Sequence, residues 1–182
     1  MIFLIASDIH GSAYYANIIV DAYKKHQADN LLLLLGDILY HGPRNDLPKD
    51  YAPKEVIALL NPLQANIIAC RGNCDSEVDQ MVLDFPLMST SQSIPYGKHK
   101  IVMSHGHVYG PDQLPKNLVA GDIFMSGHTH IPVMKKEHDI TLINPGSISL
   151  PKENNPHTYG LLVDQTYYWY NDQHELLATL SL

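Results

Sequence analysis

The sequence predicts an α/β fold in which two β-sheets pack face to face with helices outside, and three observations carry that expectation. The N-terminal part runs strand, helix, strand, helix, because short apolar runs alternate there with stretches of helical spacing. From Ile101 onward the texture changes to many short strands divided by Gly-, Pro- and His-containing turns. The leading strands are continuously apolar, as expected of strands covered on both faces.

Ile2–Ala6 reads as the first buried strand. A helix is expected over 13–26, with Ala16, Ile19, Val20 and Tyr23 on one face. A second buried strand covers 31–35. The Pro- and Asp-rich stretch 43–53 reads as a loop before a short helix over 54–60. Ile67–Ala69 makes a third strand, and 77–83 has room for one or two helical turns. Short strands then follow at 101–103, 123–125, 133–135 and 141–143. Thr158–Val163, 166–170 and 176–180 form a meander turned at Asp164-Gln165 and Asn171-Asp172-Gln173. Neither an internal repeat nor a low-complexity segment interrupts this order.

A chain of 182 residues, 45% hydrophobic and 17% charged, is long enough for one well-buried core and too short for two ordinary domains. A single domain over 1–182 is expected. The formal net charge of −7 leaves no basic face for a long polyanion, so a nuclease of long DNA or RNA is disfavoured. An acidic protein still binds phosphate through bound cations. The only cysteines are Cys70 and Cys74, too few for a disulfide framework. Residues 2–6 lack a basic flank and run directly into Asp8, so they read as a strand and not a signal peptide. No apolar run approaches the ~20 residues of a membrane span. These features predict a soluble, cytoplasmic protein.

Five polar clusters each follow an apolar run: Asp8-Ile9-His10, Gly36-Asp37, Gly72-Asn73-Cys74-Asp75, His105-Gly106-His107 and Gly127-His128-Thr129-His130. Singly each is weak, since Asp-x-His or Gly-Asp is common in surface turns. Their conjunction at five strand ends is specific, because open α/β sheets collect ligands where the carboxyl ends of strands form a crevice. Carboxylate, imidazole and amide together suit two hard-to-borderline metal ions. The glycines are explained as positions that let the chain turn tightly beside them.

The set resembles the calcineurin-like metallophosphoesterases, with their D-x-H, G-D, G-N-x-[DE], H-G and G-H-x-H motifs. With His41-Gly42-Pro43-Arg44-Asn45, Arg71-Gly72-Asn73-Cys74-Asp75 and Asn144-Pro145-Gly146-Ser147, the whole chain is similar to the small bacterial YfcE-type phosphodiesterases. The resemblance implies a four-layer αββα sandwich and a dinuclear site, with Mn²⁺ favoured and Zn, Fe, Ni or Mg as alternatives. It implies that Asp8, His10 and His130 hold one ion, that Asn73, His105 and His128 hold the other, and that Asp37 bridges them. Hydrolysis would proceed by attack of a hydroxide shared by the ions.

Cys74 departs from much of the superfamily, where histidine serves the leaving oxygen. A thiol is a weaker acid for that task, which favours diesters with good leaving groups over alkyl monoesters. His107 is the candidate to assist the leaving group, or else a strand-end histidine bonded to backbone. Asp75 either orients a ligand histidine or caps a helix before Glu77. Arg44 and Arg71 are candidates to clamp phosphate. Cys70 reads as a small buried residue. The aromatic run Tyr167–Tyr170 packs a core on one face and leaves an exposed patch, hence a homo-oligomer, as the other reading. The expected activity is a phosphodiesterase on a small phosphodiester, nucleotide-like ones included. The alternatives are a phosphomonoesterase and a non-catalytic scaffold like the retromer subunit that shares this fold.

Overall fold

The computed structural model describes residues 2–26 and 31–182. Strands β1 (Ile2–Ala6), β2 (Leu31–Leu34) and β3 (Ile67–Ala69) run parallel, and β1 also pairs antiparallel with β9 (Thr158–Val163). The meander β9, β10 (Thr166–Asn171) and β11 (Leu176–Ser181) completes a six-stranded sheet ordered β11-β10-β9-β1-β2-β3. A second sheet is ordered β4-β5-β6-β8-β7, from β4 (Ser91–Tyr96), β5 (His99–Ser104), β6 (Ile123–Met125), β7 (Val133–Glu137) and β8 (Ile140–Asn144). In it β5, β6 and β8 are parallel, while β4 and β7 are antiparallel edges.

The period of two along a strand divides the core. Phe3, Ile5, Leu33 and Leu35 point between the sheets against Met103, Ile123 and Met125. Leu4, Ala6, Leu32 and Leu34 point outward and meet Ala16, Ile19 and Val20 of α1 (Ala13–Lys25) and Val56 and Leu60 of α2 (Pro53–Leu60). Helix α1 starts where Ser12 Oγ accepts from the Tyr15 N–H at 3.3 Å, and α2 has proline in its first turn, where the missing N–H has no cost. A third, four-residue helix, α3 (Glu77–Gln80), follows the 71–76 segment.

The outer face of the second sheet is covered without a helix. Val102, Phe124 and Leu142 there are packed by Tyr109, Leu114 and Leu118 from segment 106–121. Buried Asp122 ties that segment down, accepting from Val119 N at 2.9 Å, from Lys100 N at 3.1 Å and from Lys100 Nζ at 2.6 Å. The fourth layer is therefore loop, and helices cover only the six-stranded sheet.

Two features differ from the sequence reading. β4 was not anticipated: its SQSIPY sequence is mostly polar, and Pro95 fits only because β4 is an edge strand. The aromatic strand faces two cores, with Tyr167 and Trp169 turned between the sheets and Tyr168 and Tyr170 toward α1. Tyr167 is buried, and Tyr168, Trp169 and Tyr170 are half-buried. Cys70 is buried, its thiol directed at the Leu34 carbonyl at 3.8 Å. No helix among the described residues is long and apolar enough to cross a membrane.

Candidate metal centre

The parallel ladder of β1 and β2 continues past both strands and delivers the first two clusters side by side. Asp8 N donates to Gly36 O at 3.2 Å, His10 N to Asp37 O at 2.9 Å, and Gly11 N to Ile38 O at 2.8 Å. The chain turns sharply there: Asp8, His10, Asp37, His128 and His130 all adopt left-handed φ, between 50° and 68°. Such backbone is uncommon outside glycine and persists where the surroundings over-determine it. At Asp8 the restraint is visible, since its carbonyl accepts from Ser147 Oγ at 2.9 Å and Ser149 Oγ at 2.7 Å. Gly72 and Gly127 are required by close approach. A Cβ on Gly72 would collide with Asp37, and one on Gly127 with Ser7 and Asp8.

Three imidazoles are aimed by the backbone. Nδ1 of His10 donates to Tyr40 O at 2.8 Å, that of His105 to Leu35 O at 2.7 Å, and that of His130 to Leu150 O at 2.5 Å. A carbonyl has no proton to give, so in each neutral ring Nε2 carries the lone pair. Those Nε2 atoms converge on Asp8 Oδ1: 3.3 Å from His130, 3.7 Å from His10 and 4.0 Å from His105. Asp8 Oδ1 is buried and has no hydrogen-bond partner, while Oδ2 accepts from Ser7 Oγ at 2.5 Å and His128 N at 3.1 Å. Asp37 Oδ2 lies 3.3 Å from His105 Nε2 and 3.8 Å from His10 Nε2, and its Oδ1 accepts from Cys74 N at 2.8 Å. Asn73 Oδ1 faces His105 Nε2 at 3.1 Å, and the His128 ring lies 5.1 Å from that of His105. Lone pairs pointed at one another across buried gaps repel unless a proton or a cation stands between them. The donor set of carboxylate, imidazole and amide oxygen fits a divalent cation.

Electrostatics record the same tension. Burial pushes the Asp8 carboxyl up, but its attraction to the His10 and His130 rings, when these are protonated, outweighs it and leaves Asp8 well below its ordinary range. Burial disfavours charge on His105, yet Asp37 and Asp8 raise it to about 9. A folded pKa above the ordinary 6.5 means that the folded chain binds this proton more tightly. That stabilisation is complete below about pH 6.5 and is lost as pH rises through about 9. In a chelator the thermal midpoint is therefore expected to fall across this window. Added Mn²⁺ should suppress the fall, since a cation takes the proton's place. A chelated protein with a flat midpoint from pH 6.5 to 9 would refute the assignment.

A cavity of about 450 Å³ opens on this cluster. Its floor is His10, Asp37, Asn73, His128 and His130, and its walls include Cys74, Thr129, Arg44, Asn45 and Lys152. The Cys74 thiol comes within 4.8 Å of ligand atoms of both His10 and Asp37. Burial and then the Asp37 charge raise it to about 12 in the metal-free chain.

One expectation is corrected, and two further candidates stand outside the cavity lining. Asp75 neither orients a histidine nor caps α3: the ring N–H groups of His10, His105 and His130 go to carbonyls, and Ser76 is the cap. Its carboxylate instead accepts the N–H groups of Asp37 at 2.8 Å, Ile38 at 2.9 Å and Gly72 at 2.7 Å. Burial and the charge of Asp37 raise Asp75 to about 6 despite those bonds. Arg71 does not line the cavity; its Nε donates to Asp75 O at 3.2 Å. His107 is likewise outside the lining, exposed beside the rings of His105 at 5.4 Å and His128 at 6.2 Å.

Other residues escaped the sequence reading. Asn144 Nδ2 donates to Gly127 O at 2.8 Å and Thr129 Oγ1 at 3.1 Å, fixing the Gly127–His130 turn. Its place in Asn144-Pro145-Gly146-Ser147 was a signal. Lys152 offered none, because a lysine in a Pro- and Asn-rich turn reads as solvated surface.

Candidate metal-ligating residues gathered at the strand ends of a two-sheet α/β sandwich are the arrangement expected of a metal-dependent phosphoesterase. The chain belongs to the calcineurin-like phosphoesterase superfamily, whose domain profile matches residues 1–166. It is 45% identical over 159 residues to the phosphodiesterase YfcE of Escherichia coli K12, covering 87% of this chain and 85% of that protein. The solved structure of YfcE, a phosphoesterase from E. coli, superposes with a TM-score of 0.95 at 41% identity, over 100% of this chain and 99% of that one. Vps29 of Entamoeba histolytica matches at a TM-score of 0.67 and 21% identity, covering 100% of this chain and 99% of that one, which is a likeness of fold.

Proposed function

We propose that this chain is a Mn²⁺-dependent phosphodiesterase that hydrolyses small phosphodiesters at a two-ion centre. The observation that carries the reading is buried Asp8 Oδ1, unpartnered and faced by three histidine Nε2 atoms. The relative that is 45% identical bears the name of a phosphodiesterase, which supports the diester class.

Asp8, His10 and His130 would hold one ion and Asn73, His105 and His128 the other, with Asp37 between them. Oxygen and imidazole donors suit Mn²⁺, and Zn, Fe, Ni and Mg compete by availability. When bound, the ions supply Lewis acidity toward the phosphoryl oxygens and activate water near neutral pH. The protein's own contribution is orientation. Backbone carbonyls fix the three rings, Asp75 holds the backbone under Asp37, and Arg44 on the cavity wall is available to the phosphate oxygens.

Cys74 shapes substrate choice. A thiol on the cavity wall is a weaker acid than the imidazolium that a histidine would offer there, so esters with good leaving groups are favoured. The phosphomonoesterase reading is weaker for that reason. The test measures bis(p-nitrophenyl) phosphate and glycerol 2-phosphate (an alkyl monoester) turnover with Mn²⁺ and with chelator, for the wild type and Cys74→His. Diester hydrolysis that needs the metal is expected, with the monoester-to-diester ratio rising about tenfold or more in the variant. Absence of metal-dependent diester hydrolysis would sink the function, and equal ratios would sink the role of Cys74.

A further inference from the structure

The cavity carries more positive charge than one phosphodiester calls for. A diester phosphate bears a single negative charge, and two divalent ions against Asp8, Asp37 and an activated hydroxide would leave a single positive charge to meet it. Arg44, on the loop after β2, and Lys152, on the loop between β8 and β9, add two more cations to the walls. Asp37 is the only acidic residue in the lining. This occurs in a chain with 19 acidic residues against 12 lysines and arginines. The side chains of Arg44 and Lys152 have no ion-pair or hydrogen-bond partner among the described residues.

Lys152 is also held at a fixed place relative to the centre. Its N–H donates to His130 O at 3.3 Å, and its carbonyl accepts from Asn155 N at 3.1 Å and Asn155 Nδ2 at 2.9 Å. Glu153 and Asn154 then turn through left-handed φ of 55° and 59°. The same turn provides Leu150 O, which aims His130. These bonds fix the backbone of Lys152, and its side chain is exposed.

The walls also limit the rest of the ligand. About 450 Å³ is the size of a small-molecule site, so a whole small ligand fits. No Phe, Tyr or Trp lines the cavity, which leaves a nucleobase no aromatic face to stack on.

We infer that the substrate is a small polar phosphodiester bearing a second anionic group, carboxylate or phosphate, and that Lys152, with Arg44, is the specificity-determining contact for that group. The inference rests on the phosphodiesterase reading. It is tested on the Mn²⁺-loaded protein with four p-nitrophenyl phosphodiesters sharing one leaving group. Their second alcohols are 3-hydroxypropanoate, propane-1,3-diol monophosphate, 3-hydroxypropanamide and the 5′ hydroxyl of thymidine. The wild type is expected to prefer one anionic ester over the amide by about tenfold in kcat/KM, and which one identifies carboxylate or phosphate. Lys152→Met should cut that preference to about threefold or less. Binding supplies a readout without turnover: calorimetry should show 3-phosphonopropanoate or propane-1,3-diphosphonate binding about tenfold tighter than propylphosphonate, with the gap narrowed in Lys152→Met. Equal handling of charged and neutral ligands, an unchanged preference in the variant, or a preferred thymidine ester would each overturn the inference. Failure to hydrolyse bis(p-nitrophenyl) phosphate would remove the diesterase reading, while the binding ratios would still decide the charge preference.

Discussion

Asp37→Asn is expected to reduce Mn²⁺-supported hydrolysis of bis(p-nitrophenyl) phosphate by about a thousandfold or more, equivalent to about 4 kcal/mol. The substitution is nearly isosteric and removes one negative charge where Asp37 Oδ2 stands between His105 at 3.3 Å and His10 at 3.8 Å. The remaining amide oxygen can still accept from Cys74 N, and asparagine tolerates the left-handed φ of 54°. The fold should therefore survive, with circular dichroism close to wild type. Substantial retained activity in a folded variant would refute the bridging role.

Asp75→Asn is expected to act on stability. The carboxylate, 2% exposed, accepts three buried N–H groups from two chain segments, so it ties the residues after β2 to those after β3. An amide has one acceptor oxygen. Whichever way it is turned, its NH₂ confronts either the Ile38 N–H or the N–H groups of Asp37 and Gly72. Leaving at least one buried donor opposed costs about 2–4 kcal/mol. For a chain of this length that lowers the chelated thermal midpoint by about 5–15 °C. A midpoint within about 2 °C of wild type would show that the clamp is unimportant.

The sequence was most informative where chemistry is local. Continuous apolar runs marked β1, β2, β3 and β6, because strands covered on both faces have no polar side to blur the pattern. The clusters after them were legible for the same reason, since a parallel ladder dictates that strand ends share an edge. What escaped depended on distant partners. Asp75 looks like a residue for a neighbouring side chain, yet its ligands are backbone N–H groups 37 and 38 residues away and one at 3. Arg71 and Lys152 are both cations in loops, and only the fold decides that Lys152 faces the cavity while Arg71 bonds a carbonyl. β4 was illegible because an edge strand buries little; of its six side chains only Ile94 is buried.

The left-handed backbone at Asp8, His10, Asp37, His128 and His130 restricts which side chains those positions accept at all. Glycine, asparagine, aspartate and histidine enter that conformation at modest cost, whereas β-branched and bulky residues do not. The turn geometry thus acts as a filter on mutation that operates before any selection for metal binding. Drift at these five positions is channelled toward aspartate-to-asparagine and histidine-to-asparagine exchanges, or to glycine. A descendant that gives up hydrolysis for another use of the fold would then keep the turns and much of the polarity, with individual ligands silenced in place.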